Sequence, residues 1–105
     1  MKILFDQGTP DPLRKFLPNY NVDTAIERGW STLENGELLR SAENAGYDLL
    51  ITTDQNLKYQ QNLKDRKIGI VVLRTTSWPK IQQKLSHVVS TVDHATPGCY
   101  VELTV

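Results

Sequence analysis

The chain lacks any excess of charge of one sign. Of its 105 residues, twelve are Lys or Arg and twelve are Asp or Glu, so the two sets cancel. No strong field points to nucleic acid or a membrane. That counts against a high-affinity nucleic-acid binder, but not against an enzyme that touches RNA briefly. Cysteine is nearly missing as well. Cys99 stands alone, which excludes an internal disulfide and a cysteine-based zinc cluster. It sits in an apolar, strand-like run and reads as a core residue. No stretch approaches the roughly 20 apolar residues of a membrane span, and the opening MKILFDQ lacks the apolar stretch of a signal peptide. The expected setting is the reducing cytoplasm, with no membrane partner. The sequence has no G-x-G-x-x-G, no Walker loop and no G-x-S-x-G elbow. His87 and His94 have no ligand spacing.

What is present is ordinary globular composition, 39% apolar and 23% charged. The length suits a single domain over residues 1–105. Short apolar runs alternate with helical patterns, which predicts an α/β fold: a three-layer αβα sandwich around a mostly parallel sheet of about five strands. Ile3-Leu4-Phe5 reads as a central strand, apolar on both faces. Thr9 caps a first helix with Pro10 at its first position, and Leu13, Phe16 and Leu17 form its buried stripe. Asn21–Ala25 is a weaker strand. A second helix runs from Leu33 or Asn35 to Ala45, ended by Gly46. Ser31 and Glu34 have capping-box spacing, and Asn35 is a rival cap. Leu49–Thr52 is the third strand. Asp54-Gln55-Asn56 turns into a short helix through Leu63. Ile68–Leu73 is the fourth strand, and Pro79–Val92 the last helix, with Ile81, Leu85, Val88, Val89 and Val92 on one face. Cys99–Val105 alternates with period two, as a half-exposed edge strand does. The expected order places strands one and three side by side, strand two on one flank, and strands four and five on the other.

In such sheets ligands bind beyond the carboxyl ends of the strands. Asp6 follows strand one and Asp54 follows strand three. If the strands are neighbours, their axes lie about 5 Å apart. Two carboxylates that close repel unless a cation or proton sits between them. Mg²⁺ or Mn²⁺ suits hard oxygen ligands of this kind. Glu37, near the start of the second helix, is the third candidate, with Glu34 and Glu43 as rivals. Each acid also has a purely structural reading: Asp6 in an Asx turn, Asp54 as a helix cap, Glu37 complementing a helix dipole. Lys58, with Tyr59 to Asn62, is a candidate for phosphate contact or a solvated helix face. Arg74 with Thr75, Thr76, Ser77 and Trp78 lies beyond strand four. Arg74 is placed to meet an anion there, and Ser77 to cap the last helix.

The segments ILFDQGTPDPLRKFL, GWSTLENGELLRSAENAGYDLLITTDQNL and YQQNL resemble a compact group of PIN-like proteins. These are small bacterial domains of the DUF5615 type, related to PIN nucleases and Mut7-C. The resemblance covers residues 1–75 closely and the rest by topology. It implies a Mg²⁺- or Mn²⁺-dependent endoribonuclease, with Asp6, Glu37 and Asp54 as its catalytic and metal-binding acids. It also implies a toxin role, with a small antitoxin-like protein as partner. The family's fourth acid, after strand four, is replaced here by Arg74-Thr75-Thr76-Ser77. That gap leaves a second class open, a catalytically weak or inactive binding module on the same fold. A receiver-like phosphoacceptor fits more loosely, since Gln7 stands where a second acid is needed. An Asp-nucleophile phosphatase fails because Gly8 stands where its second acid belongs. The apolar edge strand, Trp30 and Trp78 permit a homodimer.

Overall fold

The computed structural model describes residues 1–57 and 66–105. Its strands are β1 (Lys2–Phe5), β2 (Asn21–Thr24), β3 (Leu49–Thr52), β4 (Gly69–Leu73) and β5 (Tyr100–Leu103). A 3-10 helix (Asp11–Phe16) precedes β2. Helix α1 (Asn35–Asn44) precedes β3, and α2 (Trp78–Gln83) and α3 (Leu85–Asp93) lie between β4 and β5. All five strands are parallel, in the order β2-β1-β3-β4-β5. This is the expected order, in a sheet that is wholly rather than mostly parallel.

The apolar runs dictate which strands are central. β3 and β4 are buried at every residue, and β1 from Ile3 onward. Successive side chains of a strand point to opposite faces, so such a run needs cover on both sides. One face carries Ile3, Phe5, Ile51, Val71 and Leu103, packed with Leu13 and Leu17 and with Ile81, Val88 and Val92 of α2 and α3. The other carries Leu4, Leu50, Ile70 and Val72, packed with Leu38, Leu39 and Ala42 of α1. At the edge, Cys99 and Val101 join the first cluster and Tyr100 the second, so the predicted alternation of β5 holds. Cys99 itself is only partly buried.

The helix ends depart from expectation. The first helix is a 3-10 turn with no side-chain cap. Pro12 removes a backbone donor within it, and Pro18 closes it after six residues. Thr9 does not cap it, because its hydroxyl is engaged elsewhere. Phe16 is 40% exposed. Its ring meets Trp78 at the rim of the core, centroids 5.9 Å apart. The N-cap position of α1 is Glu34, with no side-chain cap, so neither Ser31 nor Asn35 caps this helix. Gly46, at φ 84°, takes the left-handed turn that ends α1 as predicted. The last helix breaks at Lys84. There the Lys84 N–H bonds to the Ile81 carbonyl at 3.0 Å, a tight i+3 bond that re-aims α3. Ser77 does cap α2, accepting from the Lys80 N–H at 3.5 Å. The predicted third helix beyond Leu57 lies outside the described residues.

Two-sided burial has a direct test. Leu50→Ala and Ile51→Ala empty opposite faces of β3, so each should cost about 2–5 kcal/mol in urea unfolding. A sheet solvated on one face would register only one of them.

Candidate active site at the carboxyl edge

Every strand of a parallel sheet presents its carboxyl end at the same edge. The Asp6 N–H continues the ladder by bonding to the Ile51 carbonyl at 3.2 Å. With Phe5 paired to Ile51, this sets Asp6 beside Thr52, the last residue of β3. Thr52 is a polar residue only 2% exposed. Its hydroxyl donates to Asp6 Oδ2 and accepts from the Asp54 N–H at 3.0 Å. The two aspartates are thus joined through one buried hydroxyl.

Each carboxylate is held by further donors. Asp6 Oδ1 accepts from the Gly8 N–H at 3.2 Å, the Thr9 N–H at 3.1 Å and the Thr9 hydroxyl at 2.8 Å. The Thr9 hydroxyl also lies 2.8 Å from the Ile51 carbonyl. At Gly8 a Cβ would meet the Thr53 hydroxyl, which would have to turn away. Burial pushes the Asp6 carboxyl above its ordinary range, and the hydrogen bonds from Thr52, Thr9 and Gly8 only partly offset this. Asp54 Oδ1 accepts from the Asn56 N–H at 2.9 Å, closing a local turn. Its Oδ2 accepts from the Asn35 side-chain amide at 2.7 Å.

The other candidate acids stand apart. Glu37 is exposed in the first turn of α1, and so is Glu34 at its cap. Glu43 lies at the far end of α1, on the opposite edge of the sheet. There it pairs with Arg66 at 2.6 Å and accepts from the Lys67 N–H at 2.9 Å. Burial works against its charge, but Arg66 and the Lys67 and Ile68 amides outweigh it and hold the carboxyl below its usual value. Among the described residues, no three His, Cys, Asp or Glu side chains form a metal-binding group. The donor set at this edge is two carboxylates, Asp6 and Asp54, of the hard-oxygen kind that Mg²⁺ or Mn²⁺ takes together with water. It does not fit a three-acid or two-ion centre. Arg74 is exposed beyond β4, and its Nε donates to Gln55 Oε1 at 3.4 Å, next to Asp54. Lys58 lies outside the described residues. His87 and His94 are exposed.

Two cavities open on this edge, and Asp6 and Gln7 line both. The larger, about 360 Å³, adds Thr9, Asp11, Arg14, Thr24, Ile26 and Glu27. Arg14 forks onto Glu27 at 3.2 and 2.7 Å and reaches Asp11 at 2.9 Å, while its buried Nε has no partner among the described residues. The smaller, about 180 Å³, is lined further by Ala25, Trp30, Ser31, Leu33, Asn35 and Leu38. Thr52, Asn35 and Arg14 carry no motif. For Thr52 the one available signal was a polar residue ending a doubly buried strand.

Comparison with protein-family models, curated proteins and solved structures gives no significant match. The functional reading rests on the residues themselves.

Two variants probe the corner. Asp6 holds its proton more tightly when folded, so its contribution to stability is full below about pH 4, the unfolded value. It is lost as pH rises through the raised folded value. Asp6→Asn removes that loss, so its stability relative to wild type should climb with pH from about 4 upward. A pH-independent difference in denaturant titrations would contradict this. Thr52→Val leaves Asp6 Oδ2 and the Asp54 N–H without their shared partner, and should cost about 1–3 kcal/mol by thermal or urea unfolding.

Proposed function

We propose that this chain is a PIN-like, cytoplasmic phosphodiesterase that cleaves RNA with one Mg²⁺ or Mn²⁺ ion at Asp6 and Asp54. One observation carries the reading: two aspartates at the ends of adjacent parallel strands, joined through the Thr52 hydroxyl. The β2-β1-β3-β4-β5 order supports it, since it is the arrangement that sets Asp6 and Asp54 at neighbouring strand ends. When bound, the ion supplies positive charge for the scissile phosphate and lowers the pKa of a bound water. The chain's own residues do the rest. Thr52 fixes the Asp6 carboxylate, Asn35 fixes Asp54, and Arg74, beside Gln55, offers a cation to the phosphate backbone. Glu37, exposed in the first turn of α1, takes no ligand role in this proposal.

A second reading is favoured by the missing acid after β4, where Arg74-Thr75-Thr76-Ser77 stands. On that reading the fold is a binding module with little or no catalysis, its partner a small antitoxin-like protein or a second copy of the chain.

Single-stranded RNA incubated with Mn²⁺ separates the two. Cleavage should stop on chelation and fall about 10²–10³-fold in Asp6→Asn and Asp54→Asn, the scale of losing one charge stabiliser. Equal rates in all three proteins remove the metal corner from the mechanism. No cleavage, with no calorimetric heat from millimolar Mn²⁺, establishes the second reading instead.

A further inference from the structure

The smaller cavity differs in kind from its neighbour. Among the described residues that line it, Asp6 is the only charged one. The rest are apolar (Ala25, Leu33, Leu38), aromatic (Trp30) or neutral and polar (Gln7, Ser31, Asn35). With no cation among the described lining residues, it suits a phosphate less than a neutral ring. Its volume of about 180 Å³ falls below the roughly 300–1,000 Å³ of a drug-sized pocket, so it takes one planar ring rather than a whole nucleoside. The larger cavity suits neither group. Asp6, Asp11 and Glu27 outnumber Arg14 there, and two of those acids already hold its guanidinium.

Trp30 is fixed before anything arrives. Its backbone N–H bonds to the Ala25 carbonyl at 2.8 Å, and its backbone carbonyl accepts from the Leu33 N–H at 3.0 Å. The Arg28 guanidinium lies 4.6 Å from the centre of its ring. Tyr47 meets it edge-on, with centroids 6.1 Å apart, and is anchored through its hydroxyl to Asp23 at 2.5 Å. An indole held in this way, lining a small neutral cavity, is the usual platform for an unpaired base.

We propose that this cavity seats one unpaired nucleobase, stacked on Trp30 and adjoining the aspartate corner. The proposal rests on the phosphodiesterase reading and gives it a substrate form, single-stranded RNA. Gln7, Ser31 and Asn35 supply amide and hydroxyl groups for the base edge. A paired base cannot enter, because its edge is occupied and its faces are stacked.

The test uses a fluorescein-labelled, single-stranded 2′-O-methyl RNA, which resists cleavage, with anisotropy read in Mg²⁺. Trp30→Leu should weaken Kd about tenfold, the scale of one lost stack, and Trp30→Phe less than about threefold. The same strand in a duplex should bind worse than alone. A second readout survives any folding defect of Trp30→Leu. In Trp78→Phe, where Trp30 is the sole tryptophan, RNA should quench the emission, whereas in Trp30→Phe it should leave Trp78 emission unchanged. Binding by wild type with no loss in Trp30→Leu, or with no quenching of Trp30, overturns the base seat and leaves the phosphodiesterase reading standing. No binding by wild type overturns both.

Discussion

The backbone groups of β1, β3 and β4 have nowhere to bond except to the strands beside them. Helical segments and loops cover both faces of these strands, so water reaches neither side. A buried N–H or carbonyl left unpaired costs as much as a lost hydrogen bond. Parallel pairing satisfies these groups, and parallel pairing requires that each connection cross over. The carboxyl ends of all strands are thereby collected at one edge. Asp6, the Asp54 turn and Arg74 meet there because of that constraint, and Glu43 with Arg66 is sent to the opposite edge by the same rule.

Polar chemistry at the end of a doubly buried strand is expensive. Thr52 is 2% exposed and still carries a hydroxyl. It is tolerated because that hydroxyl is used twice, as donor to Asp6 and as acceptor from Asp54. Asp6 sits in the same tension, with burial disfavouring its charge while four donors face it. Local groups that oppose stability and are held by several partners are the pattern expected of a site kept for its chemistry.

The strands could be read from the sequence because two-faced burial writes itself as continuous apolar runs such as IGIVVL. Their order followed from where the weak strand and the alternating strand could stand. The cap residues were not readable. Thr9 and Asn35 are residues of the capping kind, yet both spend their side chains on the aspartates, and composition cannot tell a cap from a tertiary bond. The break at Lys84 carries no Gly or Pro to announce it. Glu37 and Glu43 differ by less than two helical turns, so only the direction of α1 separates a residue at the carboxyl edge from one that clamps Arg66. The smaller cavity beside Asp6 depends on how Trp30 packs, which no local pattern encodes.

The bond between Thr52 and Asp6 spans 46 positions of the chain. β1 lies inside the sheet with β3 and β2 on its flanks, so it has no native neighbour until later segments have been made. The entropy of closing so long a loop must be met before any contact across it repays the cost, and folds built on such distant pairings form slowly. No folding intermediate with β1 and β3 apart can contain the aspartate corner. Its assembly thus marks the docking of β3 on β1.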